Sequence, residues 1–165
     1  MARVSVIVGS KTDLPHVSKV GEVLKALGIE FVANVISAHR NSEELRQHCR
    51  AARGMGTQIF ITAAGWAAAL AGAVAAETQF MIPVIGIPLP GGPYQNDSLY
   101  AMASMPPGCP VLVAPNAENA AIAAGQILAI FDPVIREQLV MYLAKAAKKR
   151  EPQFNVKLNN LQPAE

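Results

Sequence analysis

Short apolar runs rich in β-branched residues alternate along the chain with longer segments bounded by helix-capping residues, glycine or proline. Each short run has the length and composition of a buried strand. The predicted strands are residues 4–8, 30–35, 58–62, 84–87 and 110–114. The predicted helices are residues 14–27, 42–53, 98–105, 117–131 and 133–150, and a further helix follows the third strand and ends near Thr78. Asn41 with Glu44 resembles a capping box that opens the second helix, and Asn116 and Asp132 are predicted to cap the last two helices.

The connections between successive predicted strands are too long for hairpins, so the strands must run parallel with helices on both faces of the sheet. This pattern predicts an α/β fold, a flavodoxin-like three-layer α-β-α sandwich with about five parallel strands. We find no internal repeat or domain boundary, which predicts one catalytic domain over residues 1–165. Residues 88–97 are too rich in proline and glycine for regular structure, and such a long loop is often a lid.

The composition bears on whether the chain assembles with other copies of itself. Hydrophobic residues make up 52% of the chain and charged residues 16%. No apolar run is long enough to cross a bilayer, so the excess apolar surface predicts a homo-oligomer and no membrane partner. The net charge of +2 and the absence of a basic stripe before the last helix argue against nucleic-acid binding. The last helix is expected to pack on neighbouring subunits, and the tail, residues 151–165, to be disordered or docked on a neighbour.

The two cysteines, Cys49 and Cys109, lie far apart in sequence and not in a metal-ligand spacing. They are interpreted as ordinary buried thiols. Since no signal peptide stands at the N-terminus, a reducing cytoplasm is the expected compartment.

Polar turns follow three of the predicted strands, and the carboxyl ends of parallel strands meet at the edge where open α/β sheets bind ligands. The first turn holds Gly9, Ser10, Thr12 and Asp13. Glycine permits a close approach to the backbone, and hydroxyls with free N–H groups at a helix start suit a phosphate. The carboxylate of Asp13 suits sugar hydroxyls.

The second turn, Ser37-Ala38-His39-Arg40, carries the candidate chemistry. Arg40 can hold a phosphate or carboxylate through two parallel hydrogen bonds. His39 can exchange a proton near neutral pH, and it is the candidate general acid/base. The other histidines, His16 and His48, lie within predicted helices and are less well placed. The pattern predicts proton transfer on a phosphorylated small molecule in a site protected from water.

The third turn contains Gly65 and the single tryptophan of the chain, Trp66. Two interpretations of Trp66 stay open, because tryptophan serves both uses. The indole either packs at a subunit interface or forms a wall that stacks on a flat ligand.

Several short motifs, in order and with matching spacing from Val4 to about Tyr142, make the chain resemble the phosphoribosylaminoimidazole carboxylase family (catalytic subunit). The family turns G-S-x-[ST]-D and S-A-H-[RK] are matched by the first and second turns described above. The further matching segments are Asp97-Ser98-Leu99-Tyr100, Met105-Pro106-Pro107-Gly108, Asn119-Ala120-Ala121 and Ala124-Gly125-Gln126-Ile127-Leu128.

The resemblance implies a homo-octamer of de novo purine synthesis, with sites between subunits and no metal or organic cofactor. One branch of the family, the mutase, converts N5-carboxyaminoimidazole ribonucleotide to its 4-carboxy isomer, with CO2 as a transient intermediate. The other branch carboxylates aminoimidazole ribonucleotide directly with CO2. By resemblance, Ser10, Thr12 and Arg40 hold the 5′-phosphate, Asp13 holds the ribose hydroxyls, and His39 is the general acid/base.

The sequence departs from both branches in one stretch. The mutases usually carry a second histidine where this chain has Ala69, and a proline where it has Ala71. The direct carboxylases also have alanine before the leucine, but they usually read S-A-H-K where this chain has Arg40. Trp66 fits neither branch. The branch therefore stays open, as do a related carboxylase acting on another ribonucleotide, a non-catalytic nucleotide- or flavin-binding module, and a scaffold.

Overall fold

Five strands and six α-helices alternate along residues 1–148, the part of the chain that the computed structural model describes. The strands are β1 (Val4–Val8), β2 (Phe31–Val35), β3 (Ile59–Ala64), β4 (Val84–Pro88) and β5 (Leu112–Val113). The helices are α1 (Leu14–Ala26), α2 (Ser42–Gly54), α3 (Leu70–Glu77), α4 (Asp97–Ala103), α5 (Ala117–Ala129) and α6 (Pro133–Lys148), and a 3-10 turn, Lys11–Asp13, precedes α1.

The strands form one sheet in the order β2-β1-β3-β4-β5, and every neighbouring pair is parallel. This is the flavodoxin-like order, with its topological switch between β1 and β3. The predicted three-layer α/β fold is therefore confirmed. Since all five strands point the same way, the loops that follow β1, β2, β3 and β4 gather at one edge of the sheet.

Both faces of the sheet are buried under helices. Val4, Val6 and Val8 of β1 belong to a core that includes the apolar sides of α1 and α5. Ile7 and Phe60 belong to the opposite core, with residues of α2, α3 and α4. All five residues of β1 are buried, as expected of a central parallel strand.

The connection between β3 and α3 is the predicted turn at Gly65 and Trp66, and its backbone is unusual. Residues 65–69 form a turn, and α3 begins at Leu70. Trp66 (φ 55°) and Ala68 (φ 40°) adopt left-handed backbone conformations that a helix excludes. The fifth strand is shorter than predicted and covers Leu112–Val113 only. Pro110 has no backbone N–H and therefore cannot donate to the neighbouring strand.

Helix starts show which capping predictions were right. Asn116 accepts the backbone N–H of Asn119 at 2.9 Å, and Asp132 accepts those of Val134 and Ile135. The capping box at Asn41 was wrong, because its side chain makes no cap hydrogen bond to α2 and instead accepts the Ser37 N–H at 3.4 Å. The Asn41 side chain therefore bonds to the turn that precedes α2 and not to the helix itself.

Two further predictions concern the tail and the absence of a membrane-spanning helix. The tail, residues 151–165, lies outside the described residues. Between residues 1 and 148, no helix is long and apolar enough to span a membrane.

Candidate active site

A cleft of about 560 Å³ opens at the carboxyl edge of the sheet, between the turns that follow β1, β2 and β3. Its volume lies within the usual range for small-molecule sites. The structure brings every candidate site residue of the sequence analysis to this one cleft. These residues are Gly9, Ser10, Thr12, Asp13, Ser37, Ala38, His39, Arg40, Gly65 and Trp66.

The first turn presents a cluster of oxygen and nitrogen atoms to the cleft. Ser10 caps the 3-10 turn, and its Oγ accepts the backbone N–H of Thr12 at 3.3 Å and the Thr12 hydroxyl at 2.8 Å. The Asp13 carboxylate lies over Gly9, with Oδ2 3.7 Å from the position of a Cβ on that glycine. The turn therefore holds two hydroxyls and a carboxylate in fixed relative positions.

The second turn is tied to the first by Arg40. Ser37 is buried, and its Oγ accepts the backbone N–H of Arg40 at 3.3 Å and the Arg40 Nε at 3.5 Å. The Arg40 Nη2 donates to the carbonyl of Gly9 at 3.4 Å. Both acceptors are neutral, and no carboxylate of residues 1–148 pairs with Arg40. The guanidinium charge is thus held at the cleft, where an anion can neutralise it.

His39 and His16 both line the cleft, and both are exposed in the single chain. His16 was predicted to be less well placed than His39, but the structure puts it at the same cleft. It reaches the cleft because the first turn of α1 starts at the same sheet edge. His48 lies elsewhere, with its Nε2 2.8 Å from the Ser5 Oγ, and burial lowers the pKa of its imidazole.

The third turn closes the cleft on the side of β4. Gly65 allows a close approach, since a Cβ there would lie 3.2 Å from the carbonyl oxygen of Pro90. Sequence reasoning missed several lining residues, because small apolar side chains and a proline carry no chemical signal. Besides His16, these are Ala64, Ala68, Ala69, Leu70 and Pro90.

Other reactive groups lie outside the cleft. Burial, with a smaller contribution from the charge of Glu77, raises the pKa of the Cys49 thiol to about 11, so this thiol is not a ready nucleophile. Cys109 is only half-buried, which corrects the expectation of two buried thiols, and both cysteines are free. No group of three histidine, cysteine, aspartate or glutamate side chains within the described range is placed to hold a metal ion.

Known proteins resemble this chain over most of its length. The model of the AIR carboxylase family matches residues 3–149. N5-carboxyaminoimidazole ribonucleotide mutase of Pyrococcus abyssi is 41% identical over 145 residues, which cover 86% of this chain and 82% of that protein. The mutase of Haemophilus influenzae is 34% identical over 167 residues, which cover 98% of this chain and 96% of that protein.

A solved structure agrees with the sequence matches. The crystal structure of Treponema denticola PurE superimposes with a TM-score of 0.82 at 27% sequence identity, covering 89% of this chain and 92% of that one. On the extent of the family match and the identity to its relatives, this chain belongs to the AIR carboxylase family.

Proposed function

We propose that the chain transfers a carboxyl group to C4 of aminoimidazole ribonucleotide in de novo purine synthesis, giving 4-carboxyaminoimidazole ribonucleotide. One observation carries this proposal. The turn after β1 and the turn after β2 place a hydroxyl cluster, a guanidinium held by neutral acceptors and an imidazole around the same cleft. The relatives of this chain, named N5-carboxyaminoimidazole ribonucleotide mutases, support the choice of substrate.

The substrate's ribose phosphate lies along the two polar turns. Ser10, Thr12 and Arg40 hold the 5′-phosphate, through hydroxyl donors and a charged fork. Asp13 accepts hydrogen bonds from the ribose hydroxyls. Ser37 positions Arg40, and the small residues Gly9 and Ala38 leave room for the ligand. The aminoimidazole ring then points toward Gly65 and Trp66 on the opposite wall.

His39 transfers the proton. In the mutase reaction, it protonates the carbamate nitrogen, and the N–C bond breaks to release CO2 within the cleft. The ring carbon C4 attacks that CO2, and His39 recovers a proton from C4, so protons balance over the cycle. CO2 escapes if the cleft stays open to water, so the exposed His39 of the single chain must be covered during the reaction.

Neighbouring subunits supply that cover in the proposed homo-octamer, in which the whole chain, residues 1–165, acts as one catalytic domain. Large apolar side chains left exposed on the single chain support an assembly. Examples are Phe131 (88% exposed), Val134 (66%) and Val140 (63%) on and before α6. The reaction uses no metal or organic cofactor, and we place it in the cytoplasm, where both free cysteines stay reduced.

Both branches of this activity remain candidates, because one observation favours the mutase and another favours the direct carboxylase. The names of the relatives favour the mutase. Ala69, which lines the cleft where mutases usually carry a histidine, favours direct carboxylation by CO2.

The experiment that tests the proposal supplies two substrates separately to the purified chain. One is N5-carboxyaminoimidazole ribonucleotide, and the other is aminoimidazole ribonucleotide with bicarbonate as a source of CO2. Rapid formation of 4-carboxyaminoimidazole ribonucleotide from one of them supports the proposal and identifies the branch. Failure with both, together with a yellow protein that shows flavin absorbance, supports the alternative of a flavin-binding module. Failure with both and turnover of another carboxylated ribonucleotide supports a related carboxylase.

A further inference from the structure

We propose that Trp66 makes the cleft selective for ligands that carry a planar ring, and that the glycine turn, Gly91–Gly92, positions its indole. Trp66 is then a specificity-determining residue, and Gly91 and Gly92 are positioning residues. This inference rests on the proposed function and adds to it the origin of ring selectivity.

The backbone of Trp66 is held in a conformation that its side chain disfavours. Its φ of 55° lies in the left-handed region, which bulky residues rarely adopt. Its N–H donates to the carbonyl of Gly91 at 3.4 Å, and the Ala68 N–H donates to the carbonyl of Gly65 at 3.0 Å. Such backbone persists when its surroundings determine it, and it occurs preferentially at functional sites.

The indole lies against the glycine turn. A Cβ built on Gly91 would be 3.6 Å from the Trp66 Nε1 and 3.7 Å from its Cδ1, so the five-membered ring faces this backbone. Gly91 and Gly92 have φ of +134° and +100°, which side-chain-bearing residues rarely adopt. A Cβ on Gly92 would collide with the Asp97 carboxylate and lie 3.3 Å from the Trp66 Cα. Because neither glycine has a side chain, the backbone of the turn packs directly against Trp66.

Trp66 is nevertheless 65% exposed, and it lines the same cleft as the two polar turns. Among the described lining residues it presents the largest flat surface, beside small neighbours such as Ala68 and Ala69. The polar turns can bind any ribose phosphate. Stacking on the indole adds affinity when the ligand also carries a flat heterocycle, which for nucleic-acid bases amounts to about 5- to 100-fold.

The test compares two probes, aminoimidazole ribonucleotide and ribose 5-phosphate, which share the sugar phosphate and differ by the ring. Because Trp66 is the single tryptophan, its fluorescence reports on its own surroundings. We expect the nucleotide to quench the emission of the wild-type chain and ribose 5-phosphate to leave it nearly unchanged. Calorimetry gives both dissociation constants for each variant.

Two substitutions of Trp66 separate the ring from the backbone. Asparagine tolerates the left-handed conformation, so Trp66→Asn removes the ring without adding strain. We expect it to weaken nucleotide binding by about tenfold and to leave ribose 5-phosphate binding unchanged. Trp66→Phe keeps an aromatic ring and should restore most of the lost nucleotide affinity.

The glycine turn is tested by Gly91→Ala, with Gly56→Ala as the matched control. Gly56 also has a positive φ (+86°), but it lies between α2 and β3, at the opposite sheet edge, with open space at its Cβ position. Gly91→Ala should shift the Trp66 emission and weaken nucleotide binding several-fold. Gly56→Ala should carry a similar backbone strain and change neither the emission nor the two dissociation constants.

The outcomes distinguish this inference from the proposed function. If the wild-type chain binds both probes and Trp66→Asn leaves the ratio of their affinities unchanged, ring selectivity by Trp66 is overturned while the proposed function stands. The same holds if Trp66→Asn alters the oligomeric state and not that ratio, because the indole is then an interface residue. If the wild-type chain binds neither probe, both proposals fail.

Discussion

Arg40 brings a positive charge to the cleft, and its hydrogen bonds within the described chain leave that charge uncompensated. The guanidinium donates to the Ser37 hydroxyl and to the Gly9 carbonyl, which join the turn after β2 to the turn after β1. These contacts fix the orientation of the planar fork before a ligand arrives. A lysine at this position keeps the charge but loses the fork.

We therefore expect Arg40→Lys to weaken ribose 5-phosphate binding by about tenfold and Arg40→Gln to weaken it further, with the fold retained. Isothermal titration calorimetry measures the dissociation constants, and circular dichroism checks the fold. Arg50→Lys, an exposed change on α2 outside the cleft, serves as the control and should bind like the wild type. Wild-type affinity in Arg40→Gln would exclude Arg40 from the phosphate site.

At the scale of elements, a partly buried polar contact ties α2 to the central strand β1. The Ser5 Oγ and the His48 Nε2 lie 2.8 Å apart, and the imidazole meets the Phe60 ring edge to face. Burial lowers the pKa of His48 below its ordinary value of 6.5. As the pH falls through 6.5, the unfolded chain takes up a proton before the folded chain does, so stability decreases.

Equilibrium urea unfolding at pH 7.5 and at pH 5 tests this contact. The wild-type chain should lose more unfolding free energy between these values than His48→Gln, which lacks the titrating ring. Ser5→Ala should lower the unfolding free energy by about 1 kcal/mol and keep the pH dependence, because it removes the partner and leaves the imidazole. Equal pH dependence in the wild type and His48→Gln would contradict this assignment.

Elements with strong local signals could be predicted from the sequence, and those set by distant contacts could not. The buried run of β1, the cap at Asn116 and the proline after Asp132 each specify their structure locally. The left-handed backbone of Trp66 could not be predicted, because it depends on the Gly91 carbonyl, 25 residues away in sequence. The Asn41 cap failed for a local reason instead, because its side chain accepts the N–H of Ser37, four residues before it.

In the candidate site too, the features with a local sequence signal were the ones that could be predicted. The polar turns were predictable because each is contiguous and because parallel strands share their carboxyl edge. His16 was ranked below His39 because it lies within a predicted helix, whereas the first turn of α1 lines the cleft.

At the scale of the whole molecule, the single chain leaves apolar surface that a soluble monomer usually buries. Phe131 is 88% exposed and Ile130 is 61% exposed at the junction of α5 and α6, although Ile135 and Leu139 of α6 are buried in the core. One side of α6 therefore packs within the chain while neighbouring apolar residues face outward. Proposed subunit contacts would cover this surface and the cleft together.

Sedimentation and native mass spectrometry should give a mass near 139 kDa, eight times the 17.4 kDa of one chain. Phe131→Glu should shift the population toward smaller species, because it places a charge in an apolar contact. Lys25→Gln, at an exposed position of α1, should leave the mass unchanged. A wild-type chain that sediments as a monomer at micromolar concentration would contradict the octamer.

The central claim is that the His39 imidazole carries the proton, and the most direct measurement compares His39→Asn with His16→Asn, since both rings line the cleft. Turnover of the preferred substrate is measured beside the affinity for aminoimidazole ribonucleotide. We predict that His39→Asn lowers turnover by at least about 100-fold and keeps nucleotide affinity within a few-fold of the wild type. The loss of turnover in His16→Asn should be smaller. Near-normal turnover in His39→Asn, with turnover lost in His16→Asn, would contradict the account and move the proton transfer to α1.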